Sequence, residues 1–162
     1  MPQRPQRFDG LDVRLLQCLQ EDCRQTHDQL GRRIGLSSTA VLRRIRQLRD
    51  SGVIRDEVAV LDPAKSGIGV TTIIQVTLRN EAVTNRGFGQ RMAALPAVSQ
   101  CHYVTGSADC VLIAHFPAMA DFQEFAKRHL DRNKDVRRFV TQIVLRSDKR
   151  TLRLPVDATV RA

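Results

Sequence analysis

The sequence predicts an α+β chain. A winged helix-turn-helix occupies residues 1–60, a linker spans 61–69, and a ferredoxin-like βαββαβ domain fills 70–162. Three observations carry this. Apolar residues recur at helical spacing through the first fifty positions, the period changes to two after Gly52, and the second half alternates β-branched runs with amphipathic stretches.

Taken in order, LDVRLLQCLQED places Leu11, Leu15, Leu16 and Leu19 on one helical stripe. THDQLGRRIG fits a shorter helix, with Thr26 as its N-cap and Gly35 at the left-handed position that ends it. Ser37 or Ser38 then caps a third helix running to about Asp50, and Gly52 stops it. Beyond Gly52, Val53, Arg55, Glu57 and Ala59 alternate with Ile54, Asp56, Val58 and Val60, predicting a short strand or hairpin. LDPAKSGIG, with one Pro, two Gly and no periodicity, marks the domain boundary.

In the second half, VTTIIQVTL (70–78) reads as a strand. Residues 84–95 read as a helix with Phe88, Met92 and Leu95 inward, ended by Pro96. Strands follow at 98–104 and 109–116, a helix at 118–130 with Met119, Phe122, Ala126 and Leu130 inward, and a strand at 139–146. TLRLPV suggests a fifth, edge strand. This order is the split-βαβ plan, both helices on one sheet face. The other face should then be polar, yet the strands are apolar on both sides: Val111, Ile113, Val140 and Val144 oppose the core-facing set. The expectation is that sheets of two subunits pack together.

Composition narrows the class. The chain has 162 residues, 42% hydrophobic and 27% charged, as in an ordinary globular protein. No apolar run approaches the ~20 residues of a membrane span, and MPQRPQRF is not a secretory leader, so no membrane partner is expected. Four cysteines are too sparse for a disulfide scaffold and read as reduced thiols of a cytoplasmic protein. The formal charge is +9, of which residues 1–60 carry +3 and residues 61–162 carry +6. Net charge therefore does not single out the N-terminal half, but clustering does, since residues 37–49 hold four Arg and no acid.

Within that cluster Val41, Ile45 and Leu48 form the inward stripe. Thr39, Arg43 and Arg46 point away, flanked by Ala40 and Gln47. Arginine offers phosphate or guanine a planar fork of donors, and Thr and Gln can read base edges. A basic amphipathic helix is usually a solvated surface, but such helices intersperse both signs. Here Arg43 faces Thr39 and Gln47, and only Arg46, facing Leu42 and Asp50, has an acidic neighbour. A short helix, a tight Gly-Leu-Ser turn and this following helix describe a helix-turn-helix reading a major groove of double-stranded DNA.

The runs FDGLDVRLLQCLQEDCR, THDQLGRRIGLSSTAVLRRIRQLRDSGVI and VAVLDP resemble the Lrp/AsnC transcription regulators, as do VTGSADCVLIAHFP and FVTQIVL with TLRLPV. Asp9 and Asp12 match that family's aspartate pair before the first helix. The resemblance implies DNA contact by Ser37, Ser38, Thr39, Arg43, Arg44 and Gln47, with Arg46 and Arg49 as phosphate partners. It also implies a small amino-acid effector, with no other cofactor, at Thr105, Gly106, Ser107, Ala108 and Asp109, with Thr141 lining the same pocket. Gly106 permits a tight loop whose N–H groups can meet a carboxylate, and Asp109 could pair with an ammonium. The implied assembly is a homodimer, with tetramers or octamers as higher forms. The sequence departs from the family pattern at Ser38, often Pro, and at Ala108, often aromatic, which alters the pocket wall.

Other constellations carry less. Cys101-His102 and Cys110 with His115 lack metal-ligand spacing, because strand neighbours point to opposite faces. Cys110 does sit beside the expected pocket, which keeps a redox response in view. No nucleophile-base arrangement is legible, so the chain does not read as an enzyme. Strands 70–78 and 109–116 lack the aromatics of an RNA-recognition module. The competing reading is a metabolite-sensing or enzymatic ferredoxin-like protein whose N-terminal helices mediate protein contacts.

Overall fold

The computed structural model describes residues 8–156, and of residues 81–86 the backbone alone. The chain forms two compact units, residues 8–59 with 150–156, and residues 60–149.

The first unit, the head, is built on three capped helices. Helix α1, Gly10–Glu21, opens on a reciprocal capping box between Asp9 and Asp12. Helix α2, His27–Ile34, opens on a second box between Thr26 and Gln29 and closes on Gly35 at φ +79°. Helix α3, Ser38–Asp50, is capped by Ser37, whose side chain accepts from the Ala40 N–H. Such caps satisfy N–H groups that the helix itself leaves unpaired. Leu15, Leu16, Cys18, Leu30, Ile34, Val41, Ile45 and Leu48 make the core.

The turn between α2 and α3 depends on Gly31. Its carbonyl accepts from both Gly35 N (2.8 Å) and Leu36 N (2.9 Å). A Cβ on Gly31 would lie 2.4 Å from the Leu36 carbonyl oxygen. Only glycine lets the turn close this tightly.

Two expectations change here. No strand follows Gly52: residues 53–60 pair with nothing in a ladder, Val53 and Ile54 pack on the helical core, and Val58 and Val60 are exposed. A single ladder-like bond, Ile54 N to Leu48 O at 3.1 Å, ties them back. Nor is TLRLPV an edge strand. Residues 153–156 lie along α1 as an extended strap. Gln17 Nε2 donates to Val156 O (2.8 Å), Gln20 Nε2 to Leu154 O (3.1 Å), and Leu154 N to Gln20 Oε1 (2.6 Å). Val156 joins the periphery of the helical core. An amide side chain pairs with a peptide group as another strand would, so a β-like sequence finds its ladder partner on a helix.

The second unit is an antiparallel sheet of four strands in the order β2-β3-β1-β4. They are β1 Val70–Leu78, β2 Val98–Tyr103, β3 Cys110–Phe116 and β4 Val136–Ile143. Helices α4, Glu81–Ala93, and α5, Met119–Ala126, contribute Phe88, Met92, Phe125 and Ala126 to one core with Ile74, Val76, Cys110, Leu112 and Ala114. After α5 the chain continues as a π-helical turn, Lys127–Asp131. Of the expected inward set, Phe122, Ala126 and Leu130 pack on the core, whereas Met119 is 42% exposed and Phe125 is buried in addition.

β4 also starts earlier than its β-branched run implies. Leu78 pairs with Val136 and Thr77 with Arg138, so Arg137 is an extra residue in the ladder. Val136 and Phe139 both turn inward, and both arginines project outward. A bulge re-aims side chains in this way. The sheet face away from the helices carries Ile73, Val111, Ile113 and Val140 interleaved with Thr71, Gln75, Gln100 and His115, and is half-exposed.

Candidate nucleic-acid interface and ligand-binding loop

Helix α3 buries Val41, Ile45 and Leu48, which fixes what its other face presents. Thr39, Arg43, Arg46 and Gln47 are exposed together, as their spacing implies. Among the described residues, neither Arg43 nor Arg46 has a hydrogen-bond or ion-pair partner. Ser37 is engaged as the cap, and Ser38 is half-buried as the first helical residue.

The other two arginines of α3 are engaged. The Arg44 side chain is 20% exposed, and Nη1 lies 2.7 Å from Asp9 Oδ2 and 2.6 Å from Asp12 Oδ1. The Asp12 N–H in turn donates to Asp9 Oδ1 at 2.7 Å. The capping box of α1 is therefore also the clamp on α3. The Asp12 N–H and the Arg44 guanidinium hold the Asp9 carboxyl below its usual range against a partial burial penalty. The hydrogen bonds that Arg44 donates to Asp12 and then to Asp9 raise Arg44 in turn. Arg49 Nη2 pairs with Glu57 Oε1 at 2.5 Å on the surface. Nearest-neighbour reasoning along α3 could not find these acids: Asp12 is 32 residues from Arg44, and Glu57 lies beyond the helix.

The loop between β2 and β3 exposes Thr105, Gly106 and Ser107, buries Ala108 and half-buries Asp109. Gly106 sits at φ +114°, a conformation that side chains disfavour. Asp109 does not present a free carboxylate: Oδ2 accepts from the Leu78 N–H at 2.7 Å, while its own N–H donates to Val76 O at 2.9 Å. Thr77 Oγ1 donates to Ser107 O at 3.4 Å. The loop is thus tied to the end of β1 rather than open as a simple β-turn. Thr141 pairs with Ile74 across the ladder, and its Oγ1 is buried with no hydrogen-bond partner among the described residues. A buried hydroxyl left unpaired is costly, and native proteins seldom leave one.

Among the described residues no group of three or more His, Cys, Asp or Glu side chains could hold a metal ion, and no helix is long and apolar enough to cross a membrane.

A capped helix-turn-helix with unpaired outward cations, joined to a separate sheet-and-helix unit with a shaped loop, defines a DNA-binding regulator with a ligand-binding domain. Comparison with known proteins agrees. Residues 8–55 match the winged helix-turn-helix DNA-binding family and residues 71–154 the Lrp/AsnC ligand binding domain. The chain belongs to the Lrp/AsnC family of transcriptional regulators.

An HTH-type transcriptional regulator of Sinorhizobium fredii is 35% identical over 93% of this chain and 89% of its own length. A leucine-responsive regulatory protein of Rhizobium meliloti is 32% identical over 88% and 92%. A transcriptional regulator of Neisseria meningitidis, solved as a complex with L-Met, superposes at a TM-score of 0.86. It is 33% identical, with 93% of this chain and 97% of that chain covered. These relatives are regulators and none is an enzyme, so the competing enzymatic reading falls.

Proposed function

We propose that this protein is a sequence-specific transcriptional regulator of the cytoplasm, which reads double-stranded DNA with the outward face of α3 and responds to an amino-acid-like ligand bound where its copies meet. The observation that carries the DNA half is the division of the α3 arginines. Arg43 and Arg46 stand unpaired beside Thr39 and Gln47, while Arg44 and Arg49 are held by carboxylates. Unpaired cations on one helix face suit phosphate oxygens and guanine edges, and the neighbouring polar side chains suit base edges. Arg44 is assigned a positioning role, setting the angle of α3 against α1. Ser37 and Ser38 bring the helix N-terminus, a site for phosphate, to the same face.

Three features support the ligand half. The loop 105–109 is pre-shaped by Gly106 and by the Asp109 anchor. The buried Thr141 hydroxyl has no hydrogen-bond partner among the described residues. A regulator of similar fold was solved with L-Met. Asp109 acts here as the loop's anchor, so exposed N–H groups of the loop, with groups from a second copy, would hold the ligand. The half-exposed apolar residues of the sheet, Ile73, Val111, Ile113 and Val140, suit packing against a second subunit as a homodimer, on which tetramers or octamers would build.

Fluorescence anisotropy on duplex fragments flanking the protein's own gene tests the first half. Wild type should bind a subset of fragments, and Arg43→Ala/Arg46→Ala should lose at least tenfold in affinity while still folded. Equal binding by both proteins would contradict the reading. A melting-temperature screen of the twenty amino acids tests the second half, with a rise and a shift in oligomer size expected for at least one.

A further inference from the structure

Strands β2 and β3 bring two cysteines together that the sequence holds nine residues apart. In the ladder Cys101 pairs with Leu112, and Tyr103 pairs with Cys110, so the two cysteines are diagonal neighbours on the helix-facing side. Their sulfurs are 3.6 Å apart, in contact, and Cys101 Sγ also lies 3.8 Å from the Gly89 carbonyl oxygen. Gly89 makes room for this: a Cβ there would sit 2.6 Å from Tyr103 Oη, which instead accepts from the Gly89 N–H at 2.9 Å. The pair differs in access, Cys101 being half-exposed and Cys110 fully buried. The residues between them contain the whole loop 105–109, and Cys110 directly follows Asp109.

We propose that Cys101 and Cys110 form a peroxide-sensitive dithiol whose disulfide clamps the loop 105–109 between its two strands. The oxidant is a hydroperoxide. Cys101, the reachable thiol, attacks the terminal peroxide oxygen. The O–O bond breaks, the alcohol or water leaves with the proton, and Cys101 becomes a sulfenic acid. Cys110 then attacks that sulfur, the S–S bond forms, and the sulfenic hydroxyl departs as water with the Cys110 proton. Two thiols lose two electrons and the peroxide gains them.

Burial, reinforced by the neighbouring Cys101, pushes the Cys110 thiol up to about 12. A thiol held protonated in this way is the weaker nucleophile of the pair, which fits Cys101 as the residue that meets the peroxide first. Sulfurs in contact must still close to the bonded distance of about 2.05 Å, and diagonal strand positions are wider than a relaxed disulfide prefers. The bond therefore draws β2 against β3 and is readily reduced, as a reversible switch requires. How the clamp alters ligand response rests on the reading of this loop as the effector site. The bond and the clamp do not.

The experiment uses full-length protein with Cys23→Ser, because Cys23 is exposed and would form bonds between molecules. After tert-butyl hydroperoxide the intact mass should fall by two hydrogens, and thiol blocking of the denatured protein should then add a single group, at Cys18. Cleavage before Asp109 should leave the Cys101 and Cys110 fragments joined until dithiothreitol is added. Cys101→Ser should abolish the bond, and Cys110→Ser should yield a dimedone adduct at Cys101. Amide exchange of residues 104–109 should slow at least threefold in the oxidised protein. Over-oxidation of Cys101 with Cys110 left free, two unreacted thiols, or unchanged exchange in the bonded protein would each overturn the proposal. None of these readouts involves an amino acid, so failure of the effector reading stays separate.

Discussion

The outer face of α3 and the loop 105–109 are opposite solutions to presenting polar groups. On α3 the side chains that could bind are uncommitted, because the structural duties fall on neighbours: Ser37 caps, Arg44 grips Asp9 and Asp12, and Arg49 meets Glu57. In the loop the duties fall on the candidate residues themselves. Asp109 holds the Leu78 N–H, Ser107 O receives Thr77, and among the described residues the buried Thr141 hydroxyl has no partner. The first surface is complete in one chain. The second is unfinished in one chain, which suits a pocket whose remaining groups arrive with a ligand or a second copy.

That contrast can be attacked first at the turn. Gly31→Ala forces a Cβ against a backbone carbonyl that cannot swing away, and should cost the head about 1–3 kcal/mol. Urea unfolding followed by helix circular dichroism reads the loss, and DNA affinity should fall only as the head unfolds. Asp12→Ala removes half of a capping box and one of the two carboxylates on Arg44, for about 2 kcal/mol. The same substitution at Asp28, exposed in the first turn of α2, should cost far less.

Asp109→Ala probes the other region. It strands the Leu78 N–H and should lower stability of the sheet unit by about 1–2 kcal/mol even with no ligand present. A neutral outcome in thermal unfolding would return Asp109 to the role of a free ligand carboxylate. The smallest effect is that of pH. The Asp9 carboxyl is lowered in the folded head, so its contribution is present above its unfolded value near 4 and disappears as pH falls through the lower folded value. Asp9→Asn should flatten the acid limb of a stability-against-pH curve by lowering stability above about pH 4, where the carboxylate contributes, while leaving the acid end nearly unchanged.

Much of this architecture was legible in residue order. The β-branched run 70–78 is a strand with those bounds, and Thr26, Gly35 and Ser37 punctuate the helices as their chemistry dictates. What escaped needed information from elsewhere in the chain. The run 53–60 looks like a strand, but only Val53 and Ile54 pack inward while Val58 and Val60 are exposed, and the strap at 153–156 pairs with glutamines on α1. On α5 the expected inward residues Phe122, Ala126 and Leu130 hold, while Met119 is exposed and Phe125 is buried in addition. The site divides the same way. Spacing alone put Thr39, Arg43, Arg46 and Gln47 outward, but which arginines are free depends on acids 32 residues before and eight after their partners. The contact of Cys101 with Cys110 depends on strand register, which composition does not specify.

The division of the four arginines is tested most directly by the salt dependence of DNA affinity. Wild type, Arg43→Ala/Arg46→Ala and Arg49→Ala would be titrated with one operator-bearing fragment from 50 to 300 mM salt. If Arg43 and Arg46 each neutralise a phosphate, the slope of log affinity against log salt should shrink by roughly 2 in the double variant. It should stay at the wild-type value for Arg49→Ala. Equal slopes for wild type and the double variant, or the larger loss in Arg49→Ala, would contradict the account.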